Sequence, residues 1–228
     1  MHRVIRLSVL REARKDLKYL LNRGYNKPSA LKLVGDRYQL DKPERSILFR
    51  SVFSDREAEI IRSKRIGVGE LRGRRLLVDG FNVLNTVEAI LRGEPLILCD
   101  DGVLRDFAEI HSKYRFSELT GKALKLILDF LRRAGVSEVE VLYEGQISRS
   151  GEVAALTRRI MAELAVDGEA RTAKTVDSIL SRSHDVIATS DSAILLRCRS
   201  FIDLPGSLEV SKGIELIKLA NSRPQARS

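Results

Sequence analysis

Residues 76–82, Leu-Leu-Val-Asp-Gly-Phe-Asn, decide the fold of this chain of 228 residues. The three aliphatic residues that open the stretch are typical of a strand buried on both faces, the kind found in parallel sheets. Asp79 follows them at the carboxyl end of the strand, where open parallel sheets bind their ligands. The stretch therefore predicts an α/β fold with a functional site beside Asp79.

Aliphatic runs of the same kind recur further along the chain. Residues 139–143 and 185–189 predict two more buried strands. Shorter strand signals lie at residues 96–98, 169–175 and 201–204, and helical patterns lie at about 83–91, 116–133, 153–164, 176–183, from 192, and 208–220. This alternation predicts a parallel sheet between layers of helices.

Short helical patterns fill the first 66 residues. They run over about 8–22 and 28–38, then from Asp41 and from Ser54, where Ser54 and Glu57 form a capping box. The glycines and arginines of the segment that follows are typical of a flexible connector. We therefore divide the chain into a small all-α domain at 1–66, a linker at 67–75, an α/β domain at 76–221 and a disordered tail at 222–228.

The positive charge of the chain is concentrated in its first third. Residues 1–75 hold 20 Lys and Arg against 9 Asp and Glu, whereas residues 76–228 hold 20 against 22. Such asymmetry indicates a basic module that meets a polyanion, most often nucleic acid, although a solvated basic surface has the same composition. The side chains that we expect to contact phosphate are Lys27, Lys32, Arg37, Arg45, Arg50 and, before a later helix, Arg149.

Other classes of protein fit the composition poorly. No apolar run approaches the roughly 20 residues that a membrane-spanning helix needs, and the first residues do not form a signal peptide. Cys99 and Cys198 have no metal-ligand spacing and form no disulfide framework. We therefore expect a cytoplasmic protein with no membrane partner.

Carboxylates follow each of the three predicted buried strands. Asp79 and Glu144 close two of them, and Asp191 lies just past the third. Asp177 begins a predicted helix, and Asp101 follows the shorter strand at 96–98. Any one of these acids could instead form a turn or cap a helix. Together they predict a cluster at one sheet edge, which Mg²⁺ or Mn²⁺ would neutralise.

Three of these segments resemble motifs of one nuclease superfamily. Val78-Asp79-Gly80-Phe81-Asn82-Val83 resembles the opening motif of the NYN branch of PIN-like ribonucleases. Residues 175–180 look like its acidic helix start, and residues 188–191 look like its late strand ending in Thr-Ser-Asp. The whole chain also resembles a conserved, mainly archaeal family of unassigned function, in which an N-terminal helical domain precedes a PIN-like domain.

The resemblance implies a Rossmann-like PIN domain and metal-dependent hydrolysis of RNA. It implies metal ligation by Asp79, Asp177 and Asp191, with Asn82 and Ser190 orienting the site. Glu144 stands where related nucleases often have Asp, and Asp177 is single where many have two adjacent acids.

Three hypotheses about function follow. The first is a Mg²⁺- or Mn²⁺-dependent ribonuclease whose basic helices grip RNA. The second is a catalytically weak or inactive PIN-like protein that binds RNA or the ribosome, which the two departures at Glu144 and Asp177 leave open. The third is a DNA-binding regulator acting through the N-terminal helices. A homodimer is compatible with each of them.

Overall fold

The computed structural model describes residues 5–107 and 116–219. The tail predicted at 222–228 lies outside the described residues. No helix in the described part of the chain combines the length and the hydrophobicity needed to cross a bilayer.

The N-terminal region is helical, as predicted. Its helices are α1 (Leu7–Asn22), α2 (Lys27–Arg37), α3 (Lys42–Ser51) and α4 (Asp55–Lys64). Asp41 and Ser54 begin α3 and α4 with complete capping boxes, each pairing with a glutamate three residues later. The apolar sides of α1 to α3 pack together around Leu10, Leu17 and Leu48.

The rest of the chain alternates strands with helices. A short 3₁₀ helix (Val68–Leu71) precedes β1 (Arg75–Asp79), α5 (Gly80–Leu91), β2 (Leu96–Leu98), β3 (Leu104–Arg105), α6 (Glu118–Ala134), β4 (Glu138–Glu144), α7 (Ser150–Leu164), β5 (Gly168–Ala173), α8 (Val176–Arg182), β6 (Val186–Ala188), α9 (Ser192–Leu195), β7 (Ser200–Ile202), α10 (Leu204–Ser207), a second 3₁₀ helix (Glu209–Gly213) and β8 (Leu216–Lys218).

Within the described residues, five strands form a parallel sheet in the order β5-β4-β1-β6-β7. The central strand β1 places Val78 beside Val141 on one side and Ala188 on the other. Leu76 and Val78 face α5, α6 and α7, whereas Leu77 faces α4, α8 and α9. The sheet is therefore covered by helices on both faces, which confirms the predicted α/β class with a helical N-terminal region.

A second sheet of the described residues was not predicted. Its strand order is β3-β2-β8. Its side chains Ile97 and Ile217, with Leu219 just after β8, extend the core of the N-terminal helices. Residues 96–98 therefore form a strand, as expected, but outside the main sheet. The prediction of a helix over 208–220 was wrong, because residues 216–218 form a strand that pairs with β2.

The segment predicted as a flexible linker is packed against the main sheet. The amide of Ile66 donates to the carbonyl of Phe201 at 2.9 Å, and Leu71 is fully buried in the core. Arg75 already belongs to β1. Ile61 of α4 also packs against the sheet. The helical region is therefore in direct contact with the α/β core and is not joined to it by a flexible linker.

Candidate functional site

Asp79 lies at the carboxyl end of the central strand and is almost buried, with 5% of its surface exposed. Burial raises the pKa of its carboxyl group to about 7. The charges of Glu144 and Asp191 raise the pKa further, and a hydrogen bond from Thr189 opposes them. The strands β4 and β6 flank β1 on its two sides. Asp79 therefore lies at the carboxyl end of the central strand, where open α/β sheets bind their ligands.

Gly80 is the reason why the chain can turn so tightly behind Asp79. It is the first residue of α5, and a methyl group at this position would overlap the ring of Tyr143 and lie 2.8 Å from the carbonyl oxygen of Leu142. Only a residue without a side chain lets α5 begin this close to β4. The glycine of the Asp-Gly-Phe-Asn motif therefore sets the position of Asp79.

The turn after β6 is joined to β1 and α5 by side-chain hydrogen bonds. Thr189 Oγ1 donates to Asp79 Oδ2 at 2.7 Å and accepts from the amide of Asp191 at 3.1 Å. Asn82 Oδ1 accepts from the amide and the hydroxyl of Ser190, at 2.7 and 3.0 Å. Asn82 and Ser190, predicted to orient the site, thus hold each other.

Asp191 has a second task in the fold. Its Oδ1 accepts hydrogen bonds from the amides of Ala193 and Ile194, at 2.7 and 3.3 Å, and so caps the short helix α9. Besides capping α9, Asp191 lies close enough for its charge to raise the pKa of Asp79.

Glu144 and Asp177 lie together on the far side of β4. They line a cavity of 380 Å³ with Gln146 and the rest of residues 174–178. Burial raises the pKa of Glu144, and the charge of Asp177 adds to the shift. Lys174 brings a positive charge to the same cavity. The edge therefore carries Asp79 at the end of β1, with Asp191 after β6 on one side of it and Glu144 at the end of the adjacent β4 on the other, and Asp177 lies next to Glu144.

The donor chemistry of this edge suits a hydrated Mg²⁺ or Mn²⁺. Carboxylate oxygens are the ligands that such ions prefer, and a cation would offset both the burial and the neighbouring charges that raise the pKa of Asp79. As placed, the described residues contain no group of three or more His, Cys, Asp or Glu side chains able to hold an ion together. Mg²⁺ keeps several waters and needs only one or two carboxylates. Asp79 with Asp191 or Glu144 could therefore hold it.

Comparison with protein families covers most of the chain. A model described as a domain of unknown function (DUF5616) matches residues 68–207, the part that carries all four of these acids. The chain belongs to the DUF5616 family. A second model, described as a protein of unknown function (DUF434), matches residues 9–64 of the helical region.

An uncharacterized protein of Methanocaldococcus jannaschii is 36% identical to this DUF5616 chain over 186 residues. The match covers 82% of the chain and 88% of the relative, so it includes both the helices and the sheet. No solved structure matches the chain significantly.

Asp101 of the DUF5616 chain is not placed as a metal ligand. Its side chain is fully buried, and its oxygens accept from Arg105 at 2.9 and 2.7 Å. The Nε of Arg105 donates to the carbonyl of Ser190 at 2.8 Å. Asp101 lies in the turn between β2 and β3, outside the main sheet. It is linked to the site through Arg105, which bonds to Ser190.

Several predicted phosphate contacts are turned inward in the DUF5616 chain. The Nζ of Lys27 lies 3.8 Å from the ring centre of Phe53, and burial lowers its pKa to about 8. The acids that pair with Arg45 and Arg50 are Asp36 and Asp106, at 2.8 and 3.1 Å. Each of these three cations is thus engaged by another side chain of the same protein. Lys32 and Arg37 are exposed, whereas Arg149 pairs with Glu152 at 2.7 Å.

Sequence reasoning missed Thr189 and Arg105 as parts of this DUF5616 site. Thr189 could have been predicted from the sequence. It directly follows the strand that pairs with β1, as Asp79 directly follows Val78, so the two residues are neighbours at the sheet edge. Arg105 carries no such signal, because its partner Ser190 is 85 residues away and no short motif links them.

Proposed function

We propose that the chain hydrolyses phosphodiester bonds of RNA with Mg²⁺ or Mn²⁺, as the PIN-like ribonucleases of the NYN branch do. The observation that carries the proposal is the nearly buried carboxyl of Asp79 at the end of the central strand. Burial and the charges of Glu144 and Asp191 raise its pKa to about 7, so the site favours a bound cation over three free negative charges.

The side chains divide the work of such a site between them. Asp79 with Asp191 or Glu144 would hold the cation, which supplies a lowered pKa for a bound water and compensates charge on the phosphate. Thr189 fixes the carboxylate of Asp79 by its 2.7 Å hydrogen bond. Asn82 fixes the turn that carries Asp191 through its bonds to Ser190. Lys174, beside Glu144 and Asp177, offers a phosphate a positive contact.

RNA is the proposed substrate because of the charge on the helical region. The excess of Lys and Arg lies within residues 1–75, which pack directly against the α/β core. Ile61 of α4 shares a core cluster with Ile194 and Leu195 of α9, the helix that Asp191 caps, so a polyanion held on α4 would adjoin the acidic edge. A cytoplasmic setting and association with the ribosome accord with such a substrate.

The decisive experiment is cleavage of a labelled single-stranded RNA with Mn²⁺ and with EDTA. We expect cleavage only with Mn²⁺, and none by the double variant Asp79→Asn, Asp191→Asn. Asp167→Asn is the matched control, because the exposed Asp167 precedes β5 at the opposite edge of the sheet. Cleavage by the double variant would remove the site from consideration.

A protein that binds RNA or the ribosome without cleaving it is the second candidate. It is favoured by the lack of a three-acid group among the described residues and by the capping role of Asp191. Calorimetric titration with Mn²⁺ separates the two candidates, because only the nuclease requires the cation to bind. The third hypothesis, a DNA-binding regulator, has less support, since Arg45 and Arg50 of α3 already pair with Asp36 and Asp106 of the same chain.

A further inference from the structure

The most exposed large apolar side chains of the described residues belong to α1, to α2 and to the turn between them. Leu33, Tyr19 and Tyr25 are 60%, 58% and 56% exposed, whereas no other large apolar side chain among the described residues is more than 38% exposed. Tyr19 and Leu33 line a groove of 410 Å³ between α1 and α2, and Tyr25 lies in the turn that joins these helices. We call Tyr19, Arg23, Tyr25, Lys32 and Leu33 the Tyr19 surface.

The Tyr19 surface is not needed to hold the protein together. The opposite side of α1 buries Leu10 and Leu17, and its Arg14 pairs with Asp100 beyond β2. The tyrosines and the leucine therefore remain in solvent after the chain has folded. Exposed large apolar side chains grouped in this way mark interaction sites in soluble proteins.

A cation is stacked on the exposed aromatic ring. The guanidinium carbon of Arg23 lies 4.6 Å from the ring centre of Tyr19. Aromatic rings and guanidinium planes are the two groups on which proteins stack unpaired bases. The pair thus offers a platform for a base next to a positive charge for the adjoining phosphate.

The charges around the platform favour an anion. Asp16 and Arg37 line the same groove, and Asp16 is already engaged, since it accepts from Tyr38 at 2.9 Å and lies 3.5 Å from Arg37. Asp36 is likewise 2.8 Å from Arg45. In contrast, no acid of the described residues lies within ion-pair distance of Arg23 or Lys32. A protein partner would need only the apolar groove, whereas a nucleic acid uses the groove and the free cations together.

We infer that the Tyr19 surface binds single-stranded RNA by stacking its bases on the Tyr19–Arg23 pair and on Tyr25, with the charges of Arg23 and Lys32 beside the phosphates. The inference rests on the proposed function for the choice of RNA as the polymer. It adds to that proposal a binding surface separate from the acidic edge. The surface recognises unpaired bases, so a duplex, whose bases are stacked on one another, binds less well.

The test is fluorescence anisotropy of the full chain with a labelled oligoadenylate RNA of about 12 nucleotides, within the range that single-strand binders cover. EDTA is present throughout, so that cleavage does not enter the measurement. We expect Tyr19→Ala and Arg23→Ala to weaken binding roughly 5- to 100-fold, and Tyr19→Phe to keep it. Arg159→Ala and Leu216→Ala, exposed residues elsewhere, are the matched controls and should bind as the unaltered chain does.

Two further ligands distinguish stacking from charge. Heparin is a polyanion without bases, so Tyr19→Ala should leave its binding unchanged; an equal loss would overturn the inference. A duplex of the same RNA should bind more weakly, and equal binding would overturn it too. If Tyr19→Ala binds the RNA as tightly as the unaltered chain does, the inference is wrong and the surface serves another partner, such as a protein. Cleavage that survives loss of Asp79 and Asp191 would instead refute only the proposed hydrolysis.

Discussion

Thr189 Oγ1 donates a hydrogen bond of 2.7 Å to Asp79 Oδ2, and the two residues are 110 positions apart in the chain. They follow neighbouring parallel strands, in which Val78 pairs with Ala188. Burial raises the pKa of Asp79, and this bond opposes the rise because it stabilises the ionised carboxylate.

Replacing Thr189 with Val should raise the pKa of Asp79 above about 7, because the opposing hydrogen bond is lost while burial remains. The change should also cost about 1–3 kcal/mol of unfolding free energy, since a buried acceptor loses its donor. Carboxyl ¹³C NMR titration measures the pKa, and urea unfolding measures the stability. Thr189→Ser keeps the hydroxyl and is the control; an unchanged pKa in Thr189→Val would contradict the assignment.

The contribution of Asp79 to the stability of the chain in EDTA should fall as the pH rises from about 4 to about 7. The pKa of Asp79 is about 7 in the folded chain against an ordinary 3.8, so the folded state holds a proton that the unfolded state has released. That difference destabilises the fold between about pH 4 and pH 7. Asp79→Asn removes it, so its stability relative to the unaltered chain should grow by about 3 kcal/mol from pH 5 to pH 7.5. Urea unfolding at both pH values checks this, with Asp167→Asn as control; a gap that does not change with pH would contradict it.

Mn²⁺ should stabilise the folded chain. An ion that binds only the folded state adds about 2.7 kcal/mol at 100 times its dissociation constant. We expect the rise in melting temperature with Mn²⁺ to disappear in Asp79→Asn and to persist in Asp167→Asn, because the exposed Asp167 precedes β5 at the opposite edge of the sheet. A rise that Asp79→Asn retains would place the ion elsewhere.

Asp101→Asn should destabilise the chain without removing the acidic edge. The Asp101 and Arg105 side chains are buried, and breaking a buried ion pair leaves a charge without its partner, at a cost of about 3–5 kcal/mol. Urea unfolding measures this cost. Arg132→Ala, which breaks the exposed pair with Asp129, is the control and should change stability by less than about 1 kcal/mol.

Gly80→Ala should destabilise the chain far more than another glycine substitution in a helix. Its new methyl group would meet Tyr143 and the carbonyl of Leu142, which forces α5 away from β4. We expect a loss of about 1–3 kcal/mol, as for overpacking in a core. Gly121→Ala lies in α6 with open space around it and should stabilise the chain by about 1 kcal/mol. Equal effects of the two changes on thermal unfolding would show that Gly80 is not crowded.

The acidic edge itself could be predicted because it depends on local order in the chain. Strand runs, helix caps and the residues that directly follow each strand are fixed by neighbours in sequence, so Asp79, Glu144 and Asp191 could be placed at strand ends. The capping box at Ser54 was readable for the same reason. The helix expected over 208–220 was not, since pairing with β2 outweighs the local preference.

The sequence by itself determined the α/β class, the helical region before it, and the parallel strands whose carboxyl ends carry the acids. Only the tertiary structure decided which charges meet. It buried Asp101 against Arg105 and drew Lys27, Arg45 and Arg50 into internal contacts, while Tyr19 and Arg23 remained in solvent. The physical reason is that burial and ion pairing depend on residues far apart in the chain, whereas hydrophobic periodicity depends on near neighbours.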